Sequence, residues 1–166
     1  MKSCMTSISH TENAVVAAGP YDHAIGSGFA RQLGCRVVRW EPDYVEVELD
    51  IAPQHLNRAG TVHGGVIATL IDVACALAGL HSSDPSTVRK AVTLSLNTSF
   101  TGQVSTGTLR AHGRVRSGGR SIFFASTEVT DGDSRQVAHG EAVNRYRRGS
   151  ENPHGSPDEH INRMKT

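Results

Sequence analysis

The stretch TVHGGVIATLIDVACALAGL, Thr61–Leu80, decides the fold. From Val66 to Leu80 its only polar side chains are Thr69 and Asp72. This run is too long for an ordinary strand and is full of Ala and Leu, so it is expected to be a helix. A helix apolar nearly all round must be covered on most sides. It is too short to span a bilayer and carries an acid near its middle. That acid is the puzzle, because a buried carboxylate without a partner is costly.

The segments around the helix alternate with period two. In DYVEVELD (Asp43–Asp50), Val45, Val47 and Leu49 alternate with Glu46, Glu48 and Asp50, the mark of a sheet with one wet face. Glu41-Pro42-Asp43 supplies a turn, making CRVVRW (Cys35–Trp40) the hairpin partner. Four more strands are expected at Ala91–Phe100, Thr108–Ser117, Ser121–Thr130 and Gln136–Arg147, with turns at Gly118-Gly119 and Asp131-Gly132-Asp133. A short helical piece is expected at Phe29–Leu33, ended by Gly34. An antiparallel sheet has one face to bury, and wrapping it around one long central helix satisfies both elements. The fold class is therefore α+β.

With 166 residues, the chain fits one domain with a real core. Residues 1–27 are expected to be a flexible N-terminal arm, 28–148 the folded domain and 149–166 a disordered tail. The 17 basic and 16 acidic side chains give a net charge of +1, which argues against a nucleic-acid or membrane-surface binder. Cys4, Cys35 and Cys75 show neither a disulfide framework nor a zinc motif. With no apolar leader visible, a cytoplasmic setting is expected. The nine histidines form no HExxH or other ligand spacing, so no metal is expected. There is no phosphate loop and no dinucleotide fingerprint either.

The segment HLNRAGTVHGGVIATLID, His55–Asp72, resembles the hotdog-fold acyl-CoA thioesterases, and most closely their phenylacetic-acid-degradation-type group. Asn57, then His63-Gly64-Gly65, then Asp72 carry the resemblance. It continues through AVTLSLNTSF and RSGGRSIFFASTEVT, covering roughly Gly34–Tyr146. The resemblance implies a hotdog fold and hydrolysis of acyl-CoA, of aromatic or medium acyl chain, to a free acid and CoA. It implies homodimers, often paired into tetramers, and no cofactor beyond the coenzyme A of the substrate. Asp72 matches the catalytic carboxylate, either a base that activates water or a nucleophile that forms a mixed anhydride, and Gly64 the amide that polarises the thioester carbonyl. Asn57 and His63 match polar site positions, and Thr93 matches the hydroxyl that holds the attacking water.

Each residue also has a plainer reading. Asp72 could be bonded to backbone or paired with arginine. Gly64 and Gly65 permit tight packing, yet the start of a helix also carries free N–H groups and positive partial charge suited to a developing oxyanion. His63 could orient the loop, Asn57 could brace it, and Thr93 is an ordinary strand former. Cys75 is expected to be a buried thiol rather than a nucleophile. Arg110, His112, Arg114 and Arg116 alternate on one strand and could be a solvated face. Arginine also suits phosphates. Arg116, Gly118 and Arg120, with Gly65, Arg89 and Lys90, are the candidates for binding substrate or its coenzyme. The RYRR run at 145–148 is expected to be a solvated end.

One helix separates Gly64 from Asp72 by eight residues, about 12 Å of rise. Two groups acting on one carbonyl must each lie within about 3 Å of it. The site is therefore expected to combine Gly64 of one subunit with Asp72 of another across a C2 interface. A non-catalytic acyl-CoA-binding module and a hotdog hydratase are the alternatives.

Overall fold

Alternation places Val45, Val47 and Leu49 at 0% exposure on one side of β2 (Tyr44–Asp50) and leaves Glu46 and Glu48 on the other. The computed structural model, which describes residues 21–25, 28–84 and 86–157, repeats this division across a six-stranded sheet. The strands are β1 (Arg36–Glu41), β2, β4 (Ala91–Phe100), β5 (Thr108–Gly118), β6 (Ile122–Thr130) and β7 (Gln136–Tyr146). Their order is β1-β2-β5-β6-β7-β4, and every pairing is antiparallel. β4 is thus an edge strand.

The long helix α3 (Gly64–Ala78) lies on the inner face, against β2, β4, β5, β6 and β7. This is the hotdog arrangement. Val66, Ile67, Leu70, Ile71, Ala74, Cys75, Leu77 and Ala78 are buried along α3. They meet Leu109, Ala111, Phe123, Ala125 and Val129 of the sheet. Two glycines permit this approach: a Cβ on Gly113 would run into the Ala74 carbonyl, and one on Gly140 would lie 2.7 Å from Ile71 Cγ2. The carbonyls at the end of α3 have no helical donors. Trp40 Nε1–H donates to the Leu77 carbonyl at 2.8 Å. Arg89 Nη1 and the Tyr146 hydroxyl donate to the Gly79 carbonyl at 2.9 and 3.1 Å.

The expected strands stand within two residues of their predicted ends. α2 (Phe29–Gln32) is followed by Gly34 at φ 83°, and the β1–β2 turn bends at Asp43, φ 62°. The β6–β7 turn differs in detail. Its left-handed residue is Ser134, φ 61°, not Gly132. The Asp131 carboxylate holds it by accepting from the N–H groups of Asp133 and Arg135 at 3.1 and 2.9 Å.

Both ends depart from the expected boundaries. Of the arm at 1–27, residues 1–20 and 26–27 lie outside the described residues, but α1 (Asp22–Ile25) is a helical turn. The Tyr21 ring meets the Trp40 ring edge-on, with centroids 6.5 Å apart. Of the tail at 149–166, residues 149–157 are not loose. Gly149 and Gly155, at φ 88° and 68°, turn the chain back, so that β8 (Ser156–Pro157) pairs with β3 (Thr87–Val88). Ser150 is buried and its hydroxyl accepts the Lys90 N–H at 2.9 Å. Specific backbone pairing here outweighs a composition rich in turn formers.

Candidate active site

α3 starts at a histidine. His63 is its N-cap, and the ring Nδ1 accepts the Gly65 N–H at 2.9 Å. The His63 carbonyl accepts from Val66 and Ile67 at 2.9 and 3.4 Å. Of the first amides of the helix, only that of Gly64 is left without an acceptor among the described residues. Gly65 makes room for the cap, since a Cβ there would sit 3.0 Å from the ring nitrogen. Beside Gly64 stands the Phe100 ring, 3.3 Å from where a Cβ would be. His63 therefore holds the loop, as one of its plainer readings had it.

Asn57 acts within its own loop. Its Oδ1 accepts from the N–H groups of Ala59 and Thr61 at 2.8 and 3.3 Å, and its Nδ2 donates to Thr61 Oγ1 at 3.0 Å. The side chain braces the 57–61 turn, which carries the chain into the cap. His55 helps from below: it is 2% exposed, its Nδ1 accepts the Ala52 N–H at 3.0 Å, and its carbonyl accepts the His63 N–H at 2.8 Å.

Two turns along α3, Asp72 faces β4. Thr93 Oγ1–H donates to Asp72 Oδ1 at 2.7 Å, so the hydroxyl expected to hold a water holds the carboxylate here. Asp72 has neither an arginine nor a backbone donor among the described residues, which removes its plainer reading. Its surroundings are half-open: Asp72 is intermediate in burial and Thr93 is exposed. Behind Thr93 sits Asn144 of β7, fully buried, with Oδ1 3.2 Å from the hydroxyl. Nothing in the sequence distinguished Asn144; only its register opposite Thr93 reveals it.

Cys75 lies one turn past Asp72 but points into the core, its Sγ 3.1 Å from Thr127 Oγ1. Burial pushes its pKa up to about 11, so it is no nucleophile near neutrality.

The basic candidates divide. Arg89 is not free for a phosphate: besides the Gly79 carbonyl, it donates to the Ser150 carbonyl at 3.2 Å and stacks 4.5 Å from the Tyr146 ring centre. It clamps the end of α3 to the C-terminal segment. Arg110 pairs with Glu48 at 2.8 Å, His112 meets the Tyr44 hydroxyl at 3.1 Å and Arg114 lies over the Tyr44 ring at 4.4 Å. That strand face is satisfied by its neighbours. Arg116 donates to Ser126. Gly118 closes the β5–β6 hairpin opposite Phe123, and Arg120 and Lys90 are exposed. The arginines of the 145–148 run are exposed, as expected of a solvated end, and with Val92 and Tyr146 they line an open groove of about 670 Å³. Val92 and Arg145 alternate with Thr93 and Asn144 along their strands, so this groove lies on the opposite face of the sheet from the Asp72 cluster.

Residues 59–138 match the thioesterase superfamily as a family. The chain is 37% identical over 98 residues to PA0474 of Pseudomonas aeruginosa, a protein provisionally named an esterase; the match covers 58% of this chain and 71% of that protein. This chain belongs to the thioesterase superfamily. It is 30% identical over 108 residues to mouse acyl-coenzyme A thioesterase 13, covering 63% of this chain and 74% of the mouse protein. Among solved structures, the conserved protein PA5202 from Pseudomonas aeruginosa superposes with a TM-score of 0.68 at 30% identity, across 77% of this chain and 100% of that one. The superfamily match spans the loop, α3, β4, β5 and β6, the elements that carry Gly64, Asp72 and Thr93. Among the described residues no group of three or more His, Cys, Asp or Glu side chains converges, and no helix is long and apolar enough to cross a membrane.

Proposed function

We propose that the protein hydrolyses acyl-CoA thioesters to a free acid and CoA at sites shared between two subunits. The observation that carries this reading is the Gly64 N–H, the one amide at the start of α3 left without an acceptor among the described residues, on the same helix as a carboxylate held by Thr93. The free amide and the N-terminal end of the helix dipole suit a developing oxyanion. The carboxylate suits proton abstraction from water. The relation to mouse acyl-coenzyme A thioesterase 13 supports the acyl-CoA class.

A second subunit completes the site by simple geometry. α3 is continuous from Gly64 to Ala78, so one chain's own amide and carboxylate stand about 12 Å apart. β4 runs beside it in the opposite sense, with Phe100 at the level of Gly64 and Thr93 at the level of Asp72. The outer edge of β4 is unpaired among the described residues. Leu94, Leu96 and Phe100 on this strand are 51%, 39% and 53% exposed, which invites a covering partner. If two copies pair antiparallel about the middle of β4, between Leu96 and Asn97, Thr93 of one faces Phe100 of the other. One subunit's Gly64 then meets the other's Asp72, and a C2 dimer holds two such sites.

In the reaction, the Asp72 carboxylate takes a proton from water, whose oxygen attacks the thioester carbon. The carbonyl electrons move onto oxygen, facing the Gly64 N–H. Collapse re-forms the carbonyl, breaks the C–S bond, and returns the proton to the departing CoA sulfur. Thr93 fixes one carboxylate oxygen and leaves the other to act. Lys90 and Arg120, both exposed, supply cations for the coenzyme phosphates. His63, Gly65 and Asn57 hold the amide in place, and no metal or redox group takes part. The Asn57–HGG–Asp72 spacing suits the phenylacetic-acid-degradation-type group and an aromatic or medium-chain acyl substrate, and the cysteine usage suits a cytoplasmic enzyme.

Thiol release from phenylacetyl-, hydroxybenzoyl-, short-, medium- and long-chain acyl-CoA tests the proposal. Wild type is expected to release thiol from at least one substrate. Asp72→Asn is expected to stay folded and lose about 10²–10⁴-fold in kcat, the usual contribution of a general base. Full activity in Asp72→Asn would sink the assignment. Binding without release by wild type would instead mark a non-catalytic acyl-CoA-binding module.

A further inference from the structure

Asn144 stands opposite Thr93 in the β7–β4 pairing and has 0% exposure. Its Oδ1 lies 3.2 Å from Thr93 Oγ1. Its Nδ2, a buried donor, has no hydrogen-bond partner among the described residues. Thr93 Oγ1 is also 2.7 Å from Asp72 Oδ1.

Proton counting decides what these contacts are. A hydroxyl has one proton to give, and an ionised carboxylate only accepts. The Thr93 proton therefore goes to Asp72, across the shorter of the two contacts. The 3.2 Å contact then needs a donor on the asparagine side, but an amide oxygen stands there. Half a turn of the amide about its last torsion exchanges O and N with little change in shape. The Nδ2–H then points at the Thr93 oxygen, which has lone pairs to receive it. The turn also removes an orphaned buried N–H, a rarer condition in folded proteins than a carbonyl short of a partner.

We propose that Asn144 is a positioning residue. Its Nδ2–H donates to Thr93 Oγ1, whose own proton donates to Asp72 Oδ1. The chain runs in one direction, each link strengthening the next, from a buried amide to a half-open carboxylate. It sets the Thr93 hydroxyl in one rotamer, and Thr93 in turn sets Asp72, whose side chain would otherwise swing on the open side of α3. Asn144 itself touches neither substrate nor the reacting atoms. The positioning role rests on Asp72 being the reactive carboxylate; the hydrogen-bond chain does not.

Two measurements separate these levels. The first is the side-chain amide resonance of Asn144 in protein labelled with ¹⁵N at asparagine, compared between wild type and Thr93→Val. A donated hydrogen bond predicts that the Asn144 amide proton moves upfield and exchanges faster once the hydroxyl is gone. An amide unmoved in both respects overturns the chain, whether or not the protein turns over any substrate. The second is steady-state thiol release. Asn144→Leu, of similar size, is expected to lose about tenfold in kcat while KM stays within about twofold, because the group lost acts on orientation and not on binding. In the double variant with Thr93→Val the loss is expected to be no greater than for Thr93→Val alone, the non-additivity of residues in one chain. Additive losses, or wild-type kcat in Asn144→Leu, overturn the positioning role. If Asn144→Leu does not fold, the amide measurement, which leaves Asn144 intact, still decides. Inactive wild type, or fully active Asp72→Asn, brings down the reading of Asp72 and the positioning role with it. An active wild type with a dead Asp72→Asn and an unaffected Asn144→Leu brings down the role of Asn144 alone.

Discussion

The outer face of the sheet carries Arg36, Glu46, Glu48, Arg110, His112 and Arg114 on neighbouring strands, whereas its inner face brings together one carboxylate of α3, one hydroxyl of β4 and one amide of β7. The outer group is far more charged. Yet Glu48 receives both Arg36 at 3.0 Å and Arg110 at 2.8 Å, Arg36 continues to Asp50, and Arg114 covers the Tyr44 ring. Each cation there has a neighbour and water, so little chemistry is left over. On the inner side the valences do not close. Among the described residues the Gly64 N–H lacks an acceptor, and the half-open Asp72 carboxylate has no cation beside it. A satisfied network indicates architecture; unfilled hydrogen-bonding capacity beside an unpaired carboxylate indicates a site.

The comparison breaks most sharply if the inner side is not a shared site. Gly64→Pro removes the free N–H at the first helical position, where proline is tolerated and the preceding His63 is already extended, ψ 135°. It is expected to lower kcat about 10²–10³-fold, the usual loss of an oxyanion donor, whereas Gly64→Ala keeps the amide and separates crowding by Phe100 from loss of the N–H. Mixed and re-equilibrated with Asp72→Asn, the Gly64→Pro protein is expected to regain about a quarter of wild-type activity. Half the dimers would be mixed, and each would carry one intact site of two. Thiol release after mixing checks this. No recovery between subunits that do exchange would place Gly64 and Asp72 in the same chain's site.

A smaller effect sharpens the contrast between buried and reactive groups. Burial pushes the pKa of Cys35 up to about 12 and that of Cys75 up to about 11, against about 8.5 for an unfolded thiol. Between those values the native state binds more protons than the unfolded one, so stability falls as pH rises. Their contribution is whole below about pH 8.5 and is lost progressively above it. Thermal unfolding midpoints from pH 8 to 10.5 are expected to decline, and to decline less in Cys75→Ala once its own destabilisation is subtracted. In native protein near neutrality, both thiols are expected to resist thiol reagents.

The smallest effect belongs to the outer face. Arg110→Ala is expected to cost at most about 1 kcal/mol, as exposed ion pairs do, and to leave kcat and KM unchanged. Urea unfolding and thiol release check the two halves. A large loss of activity from Arg110→Ala would mean that this face takes part in catalysis after all.

Much of this was legible in one dimension. Period-two alternation located β1, β2, β4, β5, β6 and β7, because one buried face imposes it. The apolar run located α3, and Asp72 stood out inside it because buried carboxylates are rare. Other features were hidden for identifiable reasons. Arg89 and Arg145 look alike as letters, but carbonyls of Gly79 and Ser150 occupy the one while the other lines an open groove. Asn57 looked like a site residue until its three hydrogen bonds turned out to lie within five residues of chain. The segment at 149–157 looked loose because pairing with Thr87–Val88 is a long-range event that composition does not encode.

By itself the sequence determined an α+β fold around one apolar helix, the carboxylate on that helix, and its distance along the helix from Gly64. These follow from local rules: side-chain period, helical rise, and the cost of burying charge. The tertiary structure alone decided that β4 is an edge strand, that among the described residues His63 satisfies every early amide except that of Gly64, and that Asn144 stands behind Thr93. Those depend on which residues the pairing of distant strands sets opposite each other, and on which hydrogen-bonding groups remain unfilled once the chain has closed.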